Sequence, residues 1–238
     1  MLKAVLFDLD GTLANTDPIH FQVWQTLLAP HGHTVDQTFY DRFISGRLNP
    51  DIVRDLLPQF SADDGVAFSI QKEAQFREMA AHKLQRMPGL TDFLHHIKQQ
   101  GYATALVTNA PRPNAEFMLK TLTLDGVFQP VIIADDLPKG KPDPLPYQTA
   151  LDQLGLSPEE ALVFEDSPTG VRAAVAAGVP TIGVTSTHSN GTLIQLGALW
   201  TIADFTDSRL LTYIGRADMA ETSDPCRSHE PNVKLHSC

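Results

Sequence analysis

The chain has 238 residues, of which 42% are hydrophobic and 19% charged, and its formal net charge at pH 7 is -10. This composition is typical of a folded globular chain, and the length fits one domain or a core with a smaller inserted domain. The net negative charge argues against nucleic acid as a partner, which would need a basic face. It does not exclude a small anionic substrate, which a local cluster of cations could bind.

The two cysteines, Cys226 and Cys238, both lie in the C-terminal tail. They cannot crosslink the fold through a disulfide bond, which fits a reducing compartment. No apolar run approaches the roughly 18 residues that a membrane span needs. The N-terminus leads directly into a predicted strand without the layout of a signal peptide. We therefore expect a cytoplasmic protein that does not contact membranes.

The first predicted element is a short buried strand, Ala4-Val5-Leu6-Phe7, which stops at Asp8. Similar apolar runs follow at Ala103 to Val107, Val131 to Ala134, Ala161 to Phe164 and Thr181 to Val184. Helical patterns lie between or beside them at Gly89 to Gln100, Asn114 to Leu122, Pro144 to Leu154 and Thr169 to Ala177. Strands that alternate with helices predict an α/β fold with a Rossmann-like parallel sheet covered on both faces.

Residues 15–85 interrupt this alternation, because they contain helical patterns and no convincing strand. The helical patterns are Ile19 to Leu28, Phe39 to Ile44, Asp51 to Leu57 and Asp64 to Leu84. We predict an inserted α-helical cap at 15–85, on a core formed by 1–14 and 86–215. The polar tail at 216–238 lacks periodicity and is expected to be disordered.

Two carboxylates follow the first strand, in the segment Asp8-Leu9-Asp10-Gly11-Thr12. In an open α/β sheet, ligands bind outside the carboxyl ends of the strands, so Asp8 and Asp10 lie where a site is expected. Two close carboxylates repel each other unless a cation or a proton intervenes. The alternative is a simple turn rich in Asp and Gly.

Further polar residues lie directly after the second predicted strand and in the loop that follows the third. Thr108-Asn109 could donate hydrogen bonds to phosphoryl oxygens, although both residue types also favour helix caps and turns. Lys141 stands directly before Pro142, which holds it extended. Its ammonium could neutralise a phosphate, and the alternative is a solvated loop lysine.

A second pair of acids, Glu165-Asp166, follows the strand Ala161 to Phe164. Mg²⁺ prefers hard oxygen ligands, commonly one or two carboxylates with water and phosphate. The alternative is that Asp166 or Ser167 caps the next helix. Successive strand ends thus supply a carboxylate pair, a threonine, a lysine and a second carboxylate pair, and this combination favours a phosphoryl-transfer site.

These four segments, in this order, resemble the motifs of the haloacid dehalogenase-like superfamily over about residues 3 to 210. The helical insertion, with Pro88-Gly89 at its return, resembles the subgroup that contains β-phosphoglucomutase, phosphoglycolate phosphatase and sugar-phosphate phosphatases. The acid at Asp10 argues against the dehalogenase branch of that superfamily, which does not need it.

The resemblance implies a role for each acidic residue. Asp8 would be the nucleophile that attacks phosphorus, and Asp10 would be the general acid and base. Asp8 and Asp166 would bind Mg²⁺ through their side chains, and Asp10 would bind it through its backbone carbonyl. Glu165 would be a further ligand or a neighbour of the ligands.

The resemblance also implies how the phosphoryl group is held. Thr108 and Lys141 would bind the transferring phosphoryl group, together with the backbone of Asn109. In the cap, His20 and Arg47 would bind substrate. The alternatives are a packed or exposed helical residue for His20 and a surface residue for Arg47. Two further cap cations, Lys72 and Arg77, are expected to be solvated.

The function expected from the resemblance is Mg²⁺-dependent hydrolysis of a small phosphorylated metabolite, such as a sugar or polyol phosphate, by a monomer or small homo-oligomer. A sugar phosphomutase is the alternative, and it would need a cap cation for the second phosphate of its substrate. A non-catalytic binding protein on the same fold is the third hypothesis, against which the intact motifs argue.

Overall fold

The computed structural model describes residues 1–219, with side chains described through residue 215. Its centre is a six-stranded, all-parallel sheet in the order β3-β2-β1-β4-β5-β6, which confirms the predicted α/β class. The strands are β1 (Ala4–Phe7), β2 (Ala103–Thr108), β3 (Val131–Ile133), β4 (Ala161–Glu165), β5 (Thr181–Val184) and β6 (Trp200–Ile202).

Helices cover both faces of this sheet and fill the insertion after β1. Those of the insertion are α1 (Asp17–Leu28), α2 (Gln37–Phe43), α3 (Asn49–Leu56) and α4 (Ala62–Ala80). Those of the core are α5 (Leu90–Gln99), α6 (Arg112–Thr121), α7 (Leu145–Leu154), α8 (Pro168–Ala176), α9 (Asn190–Gln195) and α10 (Arg209–Met219). Four helices therefore lie between β1 and α5, in the segment where the sequence interrupts the alternation of strands and helices.

Strand β1 lies between β2 and β4, at the point where the strand order reverses. Its four residues are all fully buried, as expected for a strand covered on both faces. Phe7 pairs with Leu106 on one side and with Phe164 on the other. The residue after Phe7 therefore emerges at the carboxyl edge beside the ends of both neighbours, where open α/β sheets bind ligands.

The two connections between the insertion and the core run side by side. The amide of Met87 donates to the carbonyl of Leu13 at 2.8 Å, and the carbonyl of Pro88 accepts from Phe205 at 3.0 Å. Gly89 has φ 75°, and a Cβ at this position would lie 2.5 Å from the carbonyl carbon of Phe205. These contacts support our proposed division into a core and a cap at 15–85.

Three elements were not predicted from sequence: β6, α9 and α10. The first two are only three and six residues long, too short for a clear hydrophobic period. Helix α10 runs into the segment predicted as a tail, and positions 220–238 of that tail lie outside the described residues. Within 1–219, no helix has both the length and the hydrophobicity that crossing a membrane requires.

Candidate active site

Asp8 directly follows β1 and is buried, with 7% of its surface exposed. Its Oδ1 accepts a hydrogen bond from the Nζ of Lys141 at 2.7 Å. The chain bends sharply just after it at Gly11, which has φ 77°. The carboxylate of Asp8 thus stands at the central strand end of the sheet, paired with a buried ammonium.

Lys141 reaches this position from the loop before α7, and its side chain is 2% exposed. Its Nζ also donates to the backbone oxygen of Val107 at 2.8 Å and to Oε1 of Glu165 at 2.6 Å. Burial alone would lower the pKa of Lys141, but the charges of Asp8 and Glu165 outweigh it and raise that pKa. The lysine is therefore a fixed cation and not a solvated loop residue.

Glu165 is fully buried at the end of β4, and both of its oxygens have donors. Besides Lys141, Tyr147 donates to Oε1 at 3.1 Å. Oε2 accepts from the amides of Asp166 and Ser167 at 3.0 and 3.1 Å, and from the Ser167 hydroxyl at 3.1 Å. This arrangement positions Lys141, so metal ligation by Glu165 would have to compete with existing donors.

Gly170, in the first turn of α8, makes room for that glutamate. A Cβ on Gly170 would lie 1.6 Å from Oε1 of Glu165, far closer than van der Waals contact allows. Ser167 caps the same helix by accepting from the amide of Gly170 at 3.0 Å. The cap predicted as an alternative for Ser167 therefore coexists with the acidic cluster.

Asp166 is 3% exposed and lies over Gly11, where a Cβ would come within 2.0 Å of its Oδ2. The hydroxyl of Thr187, which follows β5, donates to the same oxygen. Burial, followed by the charges of Asp8 and Glu165, raises the pKa of Asp166 well above its usual range. Its carboxylate therefore needs a further positive charge to be stable in the ionised form.

The residues at this edge fit a divalent cation. One oxygen each from Asp8, Glu165 and Asp166 lie within 4.8 Å of one another, and all three residues are buried. Lys141 is the buried ammonium that faces them, so three carboxylates share one fixed positive charge. Burial, and after it the charge of Glu165, raises the pKa of Asp8 to about 7 against the opposing effect of Lys141. A hard cation would relieve this excess of negative charge.

Thr108 and Asn109 lie at the end of β2, on the other side of Asp8. The Thr108 hydroxyl accepts from the amide of Ala110 at 2.9 Å, which leaves its own proton free to donate into the pocket. The Asn109 side chain instead makes two hydrogen bonds of 3.0 Å with the backbone of Lys141. Asn109 thus fixes the lysine loop, and only its backbone is left for the binding role predicted from sequence.

Asp10 faces the insertion, where His20 approaches from α1. His20 Nε2 lies 3.6 Å from Oδ1 of Asp10, and this oxygen has no hydrogen-bond partner among the described residues. On the other side of the ring, Lys72 Nζ lies 2.9 Å from His20 Nδ1. Because an ammonium can only donate, Nδ1 accepts and a neutral ring carries its proton on Nε2, toward Asp10. Burial would raise the pKa of Asp10, but His20, Thr16 and Lys72 outweigh it and lower that pKa.

The expectation that Lys72 and Arg77 are solvated was wrong. Lys72 is 4% exposed and also donates to Oε1 of Glu73 at 2.8 Å. Arg77 donates to Oδ1 of Asn114 at 2.6 Å, and Asn114 donates to Oε2 of Glu73 at 2.5 Å. Lys72 is buried and Arg77 half-buried because helix α4 packs against α1 and also meets α6 of the core, and a charge removed from water requires such pairing.

Arg47 does not reach the pocket, which corrects the substrate-binding role predicted for it. Its guanidinium donates to the carbonyl of Phe43 at 3.0 Å and pairs with the carboxylate of Asp55. The two residues before it, Ser45 and Gly46, do line the pocket. The loop therefore faces the site as expected, but the arginine side chain turns back toward its own helices.

These side chains surround a pocket of about 180 Å³. It is lined by Asp8, Asp10, Gly11, Thr16, Asp17, His20, Ser45, Gly46, Thr108, Asn109, Ala110, Lys141, Asp166, Ser167, Thr169, Thr187 and His188. Four of these were missed from sequence: Thr16, Asp17, Thr187 and His188. The last two follow β5, so the strand-end rule that identified the other motifs would have found them. Burial lowers the pKa of His188, which favours a neutral ring.

Comparison with known proteins gives one consistent result. Residues 5–184 match the model of the family described as haloacid dehalogenase-like hydrolase. The chain is 34% identical over 211 residues to the validoxylamine A 7'-phosphate phosphatase of Streptomyces hygroscopicus, covering 88% of this chain and 97% of that one. It is 30% identical to a phosphorylated carbohydrates phosphatase of Thermotoga maritima, covering 83% and 93%.

Solved structures agree with the sequence comparison. The crystal structure of a family IA, variant 3 hydrolase from Entamoeba histolytica superposes with a TM-score of 0.83 at 25% identity. This superposition covers 91% of the present chain and the whole of the other. The family model, the two relatives and this structure each match most of the chain. The chain belongs to the haloacid dehalogenase-like hydrolases.

Proposed function

We propose that this hydrolase is a Mg²⁺-dependent phosphatase that cleaves a small phosphate monoester, of a sugar or polyol, through an aspartyl-phosphate on Asp8. The observation that carries the proposal is the buried Asp8 carboxylate, held at the central strand end by Lys141 and accompanied by Asp166. The two relatives, named as phosphatases of validoxylamine A 7'-phosphate and of phosphorylated carbohydrates, support a phosphorylated small molecule of this kind as the substrate.

In the first half of the reaction, a carboxylate oxygen of Asp8 forms a bond to phosphorus while the ester oxygen leaves. Asp10 gives its proton to that departing oxygen. The lowered pKa of Asp10 favours the carboxylate in the free enzyme, but a bound anionic phosphate disfavours a second negative charge beside it. Substrate binding would therefore favour the protonated form that this half of the reaction needs.

In the second half, a water molecule attacks phosphorus and the bond between phosphorus and Asp8 breaks. Asp10, now ionised, takes a proton from the water, and inorganic phosphate leaves with Asp8 regenerated. The Nε2–H of His20 points toward Asp10 and stabilises the ionised form required here. Splitting the displacement into two steps lets one carboxylate act first as acid and then as base.

The equatorial phosphoryl oxygens become more negative in the transition state, and this chain has donors beside them. Lys141 Nζ and the Thr108 hydroxyl face the pocket next to Asp8. Asp8 and Asp166 would hold Mg²⁺, with the backbone carbonyl of Asp10. When bound, the ion would supply positive charge against the carboxylates and the phosphoryl group. Glu165 then acts chiefly by positioning Lys141.

The first test is phosphate release from a panel of phosphorylated sugars and polyols, with Mg²⁺ and with a chelator. We expect release that needs Mg²⁺ and that Asp8→Asn abolishes, because an amide is not a nucleophile. Asp152→Asn, an exposed change of equal charge on α7, should retain wild-type rates. Release by Asp8→Asn at the wild-type rate, or no release by the wild type on any substrate, would exclude the proposed mechanism.

A cytoplasmic location and a monomeric or small homo-oligomeric state stay predictions.

A further inference from the structure

The insertion supplies a carboxylate to the pocket that the mechanism above does not use. Asp17 is the first residue of α1 and lines the pocket, as do His20, Ser45 and Gly46 from the same insertion. Asp8, Thr108, Lys141 and Asp166 line the end of the pocket that would hold the phosphoryl group. Asp17 therefore belongs to the wall that faces the rest of the substrate.

A buried tyrosine holds this carboxylate in place. The hydroxyl of Tyr40, which is 3% exposed on α2, donates to Oδ1 of Asp17 at 2.8 Å. Burial, and after it the charge of Asp17, raises the pKa of Tyr40, so the hydroxyl remains a donor. Oδ2 of Asp17 has no hydrogen-bond partner in the part of the chain with described side chains and can accept from a ligand.

Three cations of the insertion already have partners. Lys72 contacts His20 and Glu73, Arg47 pairs with Asp55, and Arg77 donates to Asn114. Among the described residues that line the pocket, Lys141 is the only lysine or arginine, and it is bound to Asp8 and Glu165. A second anionic group on the substrate would thus meet a carboxylate and no free cation.

We propose that Asp17, positioned by Tyr40, selects phosphate monoesters whose leaving group is an uncharged polyol, by accepting its hydroxyl hydrogen bonds and by repelling leaving groups that carry a carboxylate or a second phosphate. This inference rests on the proposed phosphatase activity. A site built to accept a hydroxyl discriminates strongly, because the wrong group leaves a polar atom unpaired or places like charges together. It also disfavours a mutase, whose bisphosphate would bring a second dianion to this wall.

A matched pair of substrates tests the selection, since glycerol 3-phosphate and 3-phosphoglycerate differ by a hydroxymethyl group against a carboxylate. We expect wild-type kcat/KM to favour glycerol 3-phosphate by about tenfold or more. Asp17→Asn should reduce this ratio by raising the rate on 3-phosphoglycerate. Tyr40→Phe, which removes only the hydroxyl, should raise KM for glycerol 3-phosphate more than it lowers kcat.

Two controls separate the possible failures. Asp41→Asn removes an equal charge from an exposed residue of α2 outside the pocket and should leave the substrate ratio unchanged. p-Nitrophenyl phosphate carries neither hydroxyl nor carboxylate, so its hydrolysis by Asp17→Asn measures any general loss of activity, against which the change in substrate ratio is judged. If the wild type hydrolyses both glycerol 3-phosphate and 3-phosphoglycerate equally, or Asp17→Asn keeps the wild-type ratio, the inference is overturned while the phosphatase stands. If no substrate is hydrolysed, the proposed function fails and this inference fails with it.

Discussion

Single carboxylates in this site differ in charge state because their surroundings differ. Asp8 and Asp166 lie among other acids in a buried edge, and burial raises the pKa of both. Asp10 lies only a few residues away, but it faces His20, with Lys72 on the far side of that ring, and its pKa is lowered. Such a separation of neighbouring carboxyl groups is what acid and base roles in one site require. Sequence spacing alone identified these residues but could not assign their ionisation.

The role of Asp10 can be tested with a leaving group that needs no proton. With p-nitrophenyl phosphate, Asp10→Asn should still transfer the phosphoryl group to Asp8, because nitrophenolate leaves as a stable anion. The water step would lack its base, and its rate should fall by about 10² to 10⁴. Rapid-mixing absorbance should then show a burst of about one nitrophenolate per active site, followed by slow turnover.

The same experiment has a chemical control. Mass spectrometry of acid-quenched Asp10→Asn should find one added phosphoryl group, and Asp8→Asn should show neither the burst nor the added mass. Steady turnover of Asp10→Asn at the wild-type rate would contradict the base role of Asp10. An added phosphoryl group on any residue other than Asp8 would contradict the nucleophile.

At the scale of elements, helix α8 packs against the end of strand β4 at a glycine, Gly170, which has no side chain to displace Glu165. Gly170 leaves the space that Glu165 fills, and Glu165 in turn anchors Lys141. We predict that Gly170→Ala displaces the glutamate and releases Lys141 from its position. Phosphatase kcat should fall by at least about tenfold, since misplaced charged groups lose most of their transition-state stabilisation. Steady-state kinetics and a thermal melt of the purified variant measure both consequences.

Gly191 offers a matched control for this prediction. It also lies in the first turn of a helix after a strand, but a Cβ there would meet only Ser189 Oγ, at 3.9 Å. Gly191→Ala should therefore keep wild-type activity and stabilise the fold slightly, by up to about 1 kcal/mol. Equal loss of activity in both variants would mean that the Gly170 effect does not act through Glu165.

The elements that could be predicted from sequence are those with a strong local signal. β1 is an uninterrupted apolar run, β4 is apolar up to its final Glu165, and α5 repeats Leu90, Phe93, Leu94 and Ile97 on one buried face. β6 has only three residues, and it is a strand because its register places Trp200 opposite Ile182. Pairing of this kind comes from tertiary structure, and no local pattern predicts it.

The same difference between local pattern and tertiary packing explains which site residues could be placed from sequence and which could not. Asp8, Asp10, Thr108 and Asp166 line one pocket because parallel strand ends meet at one edge, which topology alone ensures. The direction of the Arg47 side chain and the burial of Lys72 depend on how α3 and α4 pack. The periodicity of a helical sequence does not predict this packing. The cap side of the site was therefore the part that needed the structure.

At the scale of the whole molecule, Glu73 links the insertion to the core. Its Oε1 accepts from Lys72 and from Asn49 of α3, at 2.8 and 2.5 Å, and its Oε2 accepts from Asn114 of α6 at 2.5 Å. Burial would raise the pKa of Glu73, but Lys72 and His20 outweigh it and lower that pKa. We therefore propose that Glu73 stabilises the arrangement in which the insertion covers the pocket.

Glu73→Gln tests this proposal through the pH dependence of stability. Since the folded protein favours the ionised form, Glu73 stabilises the fold above the unfolded pKa of about 4.5 and loses this effect as the pH falls through its lower folded pKa. At pH 7 the variant leaves Lys72 without its carboxylate, and the free energy of unfolding should fall by about 2 kcal/mol. The difference from the wild type should shrink steadily below pH 4.5, as measured by urea unfolding.

The control for the Glu73 prediction is Glu116→Gln on α6, whose carboxylate is exposed and pairs with Arg112 at 3.5 Å. An exposed pair of this kind contributes little, so this variant should unfold within about 0.5 kcal/mol of the wild type at every pH. A loss in Glu73→Gln that does not change with pH would mean that shape and hydrogen bonding, not charge, make Glu73 important. If both variants equal the wild type at pH 7, Glu73 does not stabilise the contact between insertion and core.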